Sequence, residues 1–460
     1  MPKNILIIVA DTLRHPAFLF GNSFKSALPG LASMTGAGVS FTNLLASSSW
    51  TLPSHASLMT GVEPWSVHYD VEKNSYLAPD VWSLASDVRE RGGESLVASQ
   101  NFFLNPRLGL AMDFDYAYFP GLFSAVSQRS GKIFDWTVRS RFGRRTIDGS
   151  TESHLQGKLA ARLSRPPPFL LYCYHRAYAA SNDGYKIVQK VSKFLRHRGE
   201  NPYHVIINLM DMHEPYIEPH YSGKPFQETG YVLTRHLSSR TIALNEAPQA
   251  SHAVSKVYTE ALSHLDERIT CIFGMLKLRG ALEDTLVLFV SDHGQALGEE
   301  GFFGHGYKLQ DELVKIPGVM WWFKDQEPQL LSNTVDVPLD HRHLHYIMHE
   351  SLRRTEFDID NLVHDAVRAK GDAYSFFEGF HPSHGGHYRA LRVEPSRNRH
   401  VVCYKSDSAT SPGPSNDIAE DDWDYATQRM DQIISAQESG RYGNSTHTSV
   451  ISRLETWGYV

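Results

Sequence analysis

Short runs of aliphatic and β-branched residues recur along the chain, each closed by a polar break, with helical stretches between them. Ile5–Ala10, Glu94–Ser99, His204–Met210, Thr285–Ser291 and Gly318–Phe323 predict strands. Continuous apolar character, in place of strict alternation, marks strands buried on both faces, as in a parallel sheet covered on two sides. Asp80–Arg91 and Ser251–Leu278 read as amphipathic helices lying between those strands. The pattern therefore predicts an α/β fold, a mostly parallel sheet with helices on both faces, and shows no internal repeat.

Two stretches depart from it. Residues 129–200 are rich in Lys and Arg and contain Pro166-Pro167-Pro168, which predicts a solvated basic insertion over the sheet. After about Met348 the sheet-like runs fade, so residues 1–347 are expected to form the main α/β domain and 348–460 a smaller C-terminal region. Within the latter, 406–421 (SDSATSPGPSNDIAED) predicts a flexible loop, Trp423–Glu438 a helix, and Ser452 to Val460 a segment that docks back.

Composition adds exclusions. The 460 residues are 21% charged and 41% hydrophobic, with a net charge of −6, so no global basic charge points to nucleic acid. Cys173, Cys271 and Cys403 are odd in number and far apart, which excludes a disulfide framework and a metal knuckle and suggests a reduced, cytoplasmic setting. The run Ile5–Ala10 is too short for a signal-peptide core, and nothing approaches the roughly 20 apolar residues of a membrane span. The sequence leaves the oligomeric state open.

Chemistry-bearing residues fall at the strand breaks. Asp11 directly follows the first strand, Asp292-His293-Gly294 follows a later one, and Thr51 lies in W-T-L-P-S-H, Trp50 to His55. In doubly wound sheets such positions converge on one crevice beyond the carboxyl ends of the strands. Two carboxylates and an imidazole suit a divalent ion, with a hydroxyl able to complete the shell. An ion there would activate the Thr51 hydroxyl and neutralise charge on a phosphate or sulfate oxygen. Pro53 and the run that follows predict that Thr51 sits at a helix start, whose N–H groups favour an anion. Singly, Asp11 or Thr51 could be a helix cap and Asp292-His293 a turn, and only their concurrence favours the metal reading. Among the 24 histidines, His68, His384 and His387 are expected to be structural or exposed.

These motifs, in this order, resemble the sulfatase family of the alkaline-phosphatase superfamily. N-I-L-I-I-V-A-D-T-L-R resembles its first strand and metal aspartate, and Thr51-Leu52-Pro53-Ser54-His55 through Thr60-Gly61 its nucleophile motif. Asp292-His293-Gly294 with Gly304-His305-Gly306 resembles its second metal motif and a substrate histidine, Asp211 to Tyr216 its histidine loop, and Arg453 to Tyr459 its ending. The resemblance implies an alkaline-phosphatase-like fold and a catalytic domain at 1–347. Three departures bear on the chemistry. Thr51 cannot be oxidised to the formylglycine of true sulfatases, His55 replaces their arginine, and Thr12 stands where a second metal aspartate is usual.

A threonine nucleophile instead resembles the superfamily's phosphodiesterases and phosphoglycerol transferases. That resemblance implies one divalent ion (Mn, Mg, Ca or Zn) on Asp11, Thr51, Asp292 and His293, with no formylglycine. Thr51 would attack, His213 and His305 would contact the non-attacking oxygens or protonate the leaving group, and His55 and Lys308 would bind substrate. A second ion would need further ligands such as Asp211, His213 and His305, and their spacing favours a single ion. The expected activity is hydrolysis or transfer of a phosphate ester, above all a diester, on a small-molecule, glycan or lipid-linked substrate. Sulfuric ester hydrolysis by unmodified Thr51 is the second reading, and a binding homologue without turnover the third.

Overall fold

The computed structural model describes residues 2–18, 27–66, 81–119, 138–139, 184–214, 247–329, 334–380, 387–396, 399–406 and 420–438, with gaps at 36, 105–109, 112 and 307. Strand β1 (Asn4–Ala10) is buried at all seven positions. Its side chains alternate between two cores: Ile5, Ile7 and Val9 face one, Leu6, Ile8 and Ala10 the other. The period of two in a strand, applied to an unbroken apolar run, requires cover on both faces.

Around β1 the main sheet is built from β2 (Val39–Leu45), β3 (Glu94–Ser99), the short β4 (Tyr116–Tyr118) and β5 (Val138–Arg139), β6 (Tyr203–Leu209) and β7 (Thr285–Val290). A separate hairpin pairs β8 (Ala296–Leu297) with β9 (Phe303–Gly304). β10 (Lys315–Lys324), β11 (Glu327–Pro328), β12 (Thr334–Val335) and β13 (Leu339–Asp340) complete the main sheet. Its order is β12-β2-β10-β7-β1-β6-β3-β4-β5, with β11 paired to β10 and β13 to β2. The central strands β7, β1, β6 and β3 are parallel. Gly318–Phe323, expected as one more buried strand of that set, lies in β10 and runs antiparallel to both β7 and β2. An apolar run reports burial and carries no direction.

Helices cover both faces. α1 (Pro29–Thr35), α4 (Gly184–His197) and α5 (Ala247–Leu278) pack on the side of Leu6 and Ile8. α2 (Thr51–Thr60), α3 (Leu84–Glu90), α7 (His341–Ser351) and α8 (Ile359–Lys370) pack on the side of Ile5 and Ile7. The short α6 (Asp311–Val314) leads into β10. α7 begins with a capping box: the Asp340 carboxylate accepts from Arg342 N, and the His343 ring pairs with the Asp340 N–H. Among the described residues no helix is long and apolar enough to cross a membrane.

The expectation that sheet structure fades after Met348 is corrected. β14 (Ala373–Phe380), β15 (His387–Ser396) and β16 (Arg399–Ser406) form an antiparallel sheet, against which α9 (Glu420–Glu438) packs. Leu391 and Val393 are buried while Arg389 pairs with Glu378, so these strands alternate and lack the unbroken apolar runs of β1. Trp65, stacked on Tyr374 at 5.0 Å, ties this unit to the segment after α2. Residues 138–139 and 184–200 are the described parts of the predicted basic insertion, and Ser406 and Glu420-Asp421 of the predicted loop. His68, His384 and the ending Ser452–Val460 lie outside the described residues, and of His387 the backbone alone is described.

Candidate active site

β1, β6 and β7 end at one edge of the sheet. Asp11 N donates to Leu209 O across β1 and β6, which sets Asp11 level with the end of its neighbour. The next residue, Thr12, turns sharply in a left-handed conformation (φ 59°). Its N–H donates to Asp292 Oδ1 at 3.0 Å and its hydroxyl to Met212 O at 2.6 Å. Tyr258 from α5 holds the turn, donating to Thr12 O and accepting from Arg14 N. Thr12 thus uses its hydroxyl on the backbone, and the threonine in place of a second aspartate adds no ligand.

Asp292 follows β7 and is fully buried, as is His293. Gly294 lets this turn lie against α6: its N–H donates to Leu313 O at 2.8 Å, and a Cβ there would collide with the Glu312 carbonyl. His293 Nδ1 lies 2.9 Å from Gly294 O. A carbonyl can only accept, so Nδ1 carries the proton and Nε2 presents its lone pair. That Nε2 is 3.4 Å from Thr51 Oγ1 and 3.4 Å from Asp292 Oδ2.

The two carboxylates share one asymmetry. Asp11 Oδ2 accepts from Asn101 at 2.7 Å and Asn208 at 3.2 Å, and Asp292 Oδ1 accepts from Thr12 N and His293 N. Asp11 Oδ1 and Asp292 Oδ2 are buried without a hydrogen-bond partner among the described residues. One ligand atom from each of Asp11, Asp292 and His293 lies within 4.8 Å of the others. A buried anionic oxygen left bare is costly unless a cation meets it, so this donor set fits a divalent ion. Burial pushes Asp11 up to about 6, with the Asp292 charge adding to it, and pushes Asp292 up to about 7 against the N–H groups of Thr12 and His293. His293 is lowered to about 4, mainly by burial, and stays neutral.

Thr51 is the first residue of α2. The cap position is Trp50, which makes no side-chain cap, so the first-turn N–H groups are not taken by one. The preceding loop is held at each step. Ala46 N donates to Val314 O, Ser47 N to His341 Nδ1, Ser48 N to Ser54 Oγ, and Gly306 N to Ser49 O. Phe376 N of β14 donates to Ser47 O, so the C-terminal sheet braces the nucleophile loop directly. Asn101, just past β3, donates to Thr51 Oγ1 at 3.3 Å as well as to Asp11.

A second group stands beside the first. His213 and His305 have ring centroids 4.9 Å apart, and His293 and His305 4.5 Å. His305 Nδ1 pairs with Gln295 Oε1 at 2.7 Å, and Gln295 donates to Glu214 at 2.5 Å. His213, Glu214 and His305 also offer ligand atoms within 4.8 Å of one another. Burial lowers His213, but Glu214 and Asp11 outweigh it and hold the imidazole above its usual range.

Of the other residues singled out in the sequence, His55 differs from its expected place. His55 is not on a substrate-facing surface: it is fully buried, with Nδ1 on Thr51 O at 3.0 Å and Nε2 3.3 Å from Asn208 Nδ2. Burial lowers it to about 3, so where the family carries an arginine this chain carries a neutral ring under the site. Lys308 pairs with Glu300 at 2.9 Å and lies over the Phe302 ring. Asp211 pairs with Arg268 at 2.5 Å and does not join His213 and His305 as a ligand. Asn101 and Asn208, both on the Asp11 carboxylate, were not legible in the sequence.

Residues 3–353 match the sulfatase family model. This chain belongs to the sulfatase family. It is 23% identical to choline-sulfatase of Rhizobium meliloti (strain 1021) over 346 residues, and 21% identical to iduronate 2-sulfatase of Mus musculus over 339. Each alignment covers 69% of this chain but only 63% and 59% of those relatives. In fold this sulfatase-family chain is similar to a phosphonate monoester hydrolase of Silicibacter pomeroyi, with a TM-score of 0.56 at 16% identity over 97% of this chain and 96% of that one. The alkaline-phosphatase-like architecture expected from the motifs is therefore present.

Proposed function

We propose that this sulfatase-family protein is a metal-dependent hydrolase or transferase of phosphate esters, diesters above all, with Thr51 as nucleophile. The observation that carries the reading is the placement of Thr51 Oγ1 at 3.4 Å from His293 Nε2, beside two carboxylates that each keep one bare buried oxygen. A divalent ion held by Asp11, Asp292 and His293 would supply positive charge for activating the hydroxyl and for the ester oxygens. Thr51 loses its proton to solvent and its oxygen bonds phosphorus. The bond to the leaving group breaks, and that oxygen takes a proton from His213 or His305. Water or an acceptor alcohol then releases the phosphoryl group from Thr51. His213 suits the acid role through Glu214, the larger of the charges that raise it, which would still face the imidazole with an ion on Asp11 and Asp292.

The second reading, sulfuric ester hydrolysis by unmodified Thr51, is favoured by the similarity to choline-sulfatase and iduronate 2-sulfatase. The decisive experiment strips the protein, reloads it with Mn, Mg, Ca or Zn, and offers bis-nitrophenyl phosphate, nitrophenyl phosphate and nitrophenyl sulfate. Phosphodiester turnover is the expected result, and cleavage of the sulfate alone would replace the first reading by the second. One bound ion per chain is expected, with His213, Glu214 and His305 serving the substrate. Two ions per chain would instead assign that second group to metal.

Asn101 is assigned a direct part, since its amide reaches the attacking oxygen. Asn101→Ala is expected to lower kcat about 100-fold, the usual cost of removing one donor aimed at developing charge. Melting temperature should also fall, because Asn101 Oδ1 accepts from Phe103 N at 2.9 Å and the alanine protein strands that buried donor. A kcat within threefold of the parent would reduce Asn101 to a buttress of Asp11.

A further inference from the structure

We propose that His341 is a positioning residue, a neutral imidazole staple that sets the spacing between the Thr51 loop and the Asp292 strand end. The inference rests on the metal-site reading above and deepens it. His341 opens α7 and is fully buried. Its Nδ1 receives the Ser47 N–H at 3.1 Å, and its Nε2 lies 3.0 Å from Ser291 O. Ser47 is four residues before the nucleophile and Ser291 is one before a metal carboxylate.

The partners dictate the ring's state. A backbone N–H can only donate and a carbonyl only accept, so Nδ1 must be bare and Nε2 must carry hydrogen. Burial holds the ring down to about 4, consistent with a neutral imidazole. The other described contacts between these segments are between side chains, Thr51 Oγ1 with His293 Nε2 at 3.4 Å and His55 Nδ1 with Asp292 Oδ2 at 3.5 Å, whereas His341 ties backbone to backbone. Ser48 N is held by Ser54 of α2, and Ser47 O by β14. The β2 loop and the β7 end do not pair with each other: both are bonded to β10 and the residues leading into it, Ala46 N to Val314 O and Ser291 N to Pro317 O, so the backbone joins them only through a third segment. The His341 ring spans Ser47 and Ser291 directly, as an outer partner does when it orients a metal ligand.

The test uses the full chain and reads Mn affinity directly, from the EPR signal of free Mn, alongside kcat and KM. His341→Gln keeps an acceptor and a donor with reach, whereas His341→Asn carries the same groups on a shorter stem. His341→Leu removes both. The staple predicts Mn affinity weakened at least tenfold and kcat lowered at least 30-fold in H341L and H341N, with KM little moved. H341Q should stay within threefold of the parent in both. A role in folding alone would lower melting temperature in all three and leave Mn affinity unchanged, which would overturn the proposal. If H341L does not fold, the comparison of H341N with H341Q decides. A parent protein that binds Mn but turns over no ester would sink the proposed function and leave this comparison standing.

Discussion

Thr51→Ala is expected to lose at least about 10⁴-fold in kcat on any ester the protein cleaves, the scale seen when a nucleophile is removed from a site that otherwise still binds. The fold should survive. Thr51 starts α2 but does not cap it, and its hydroxyl contacts Asn101 and the His293 ring without serving any backbone group. Removing it therefore strands no buried backbone donor, and melting temperature should move by a few degrees at most. Thr51→Ser keeps the attacking oxygen and should stay within about tenfold of the parent. Acid quench of a turnover mixture should leave phosphate on the peptide carrying Thr51, and that peptide should otherwise have its unmodified mass. Residual turnover above about 1% in the alanine protein would mean that water attacks directly and that Thr51 only completes the shell.

The same site shows what a sequence can and cannot reveal. Asp11 and Asp292 were legible because each closes an unbroken apolar run, and a strand buried on both faces must deliver its next polar residue to the sheet edge. Thr51 was legible from Pro53 and the helix that follows. His55 was misplaced for a physical reason. A histidine one turn into a helix is as readily exposed as buried, and only the tertiary packing of α2 against β6 puts its ring under Asn208. Asn101 and Asn208 carry no spacing signal, since amides near strand ends are common and their value here lies in meeting one carboxylate from two strands.

α7 makes the point more sharply. His341-Arg342-His343-Leu344-His345 carries four polar side chains in five, yet all five residues are buried. Arg342 is paid for by Asp340, at 2.5 Å, and by Glu63, while His343 completes the cap of its own helix. Burial of this many polar groups is tolerable only when each finds a partner, and the partners come from α2's exit, β13 and β14, far apart in the chain. The antiparallel β14–β16 sheet was missed for a related cause. Its role in the site, Phe376 N on Ser47 O, is a backbone contact that no side-chain pattern encodes.

The share of metal-free stability that Asp11 and Asp292 supply should fall as pH rises from about 4 to 7, and added metal should reverse this loss. Asp11 and Asp292 are raised from 3.8 to about 6 and about 7, chiefly because burial penalises their charged forms. Their folded values lie above the unfolded ones, so the folded chain holds protons that the unfolded chain has lost. The associated stability is complete below about pH 4 and is forfeited as pH climbs through the folded values. A divalent ion binds the ionised pair and must displace those protons. Its affinity should therefore drop by up to about 100-fold per pH unit below about pH 6, where both protons have to leave. His293 acts in the opposite sense: neutral when folded above about 4 but protonated below about 6.5 when unfolded, it adds stability as pH rises toward 6.5. So do the other histidines lowered by burial, His15, His55, His204, His341 and His345. Melting scans with and without saturating Mn should show a larger gain at pH 8 than at pH 5. Calorimetric titrations in buffers of different ionisation heat should show proton release on binding between these limits. Asp292→Asn should remove its own falling share, so that the metal-free protein gains more stability between about pH 4 and 7 than the parent does, and should also abolish the gain from Mn, because the ligand is gone. Equal gains at pH 5 and pH 8 would show that the carboxylates are ionised in the empty site, and that some cation of the protein's own already meets their bare oxygens.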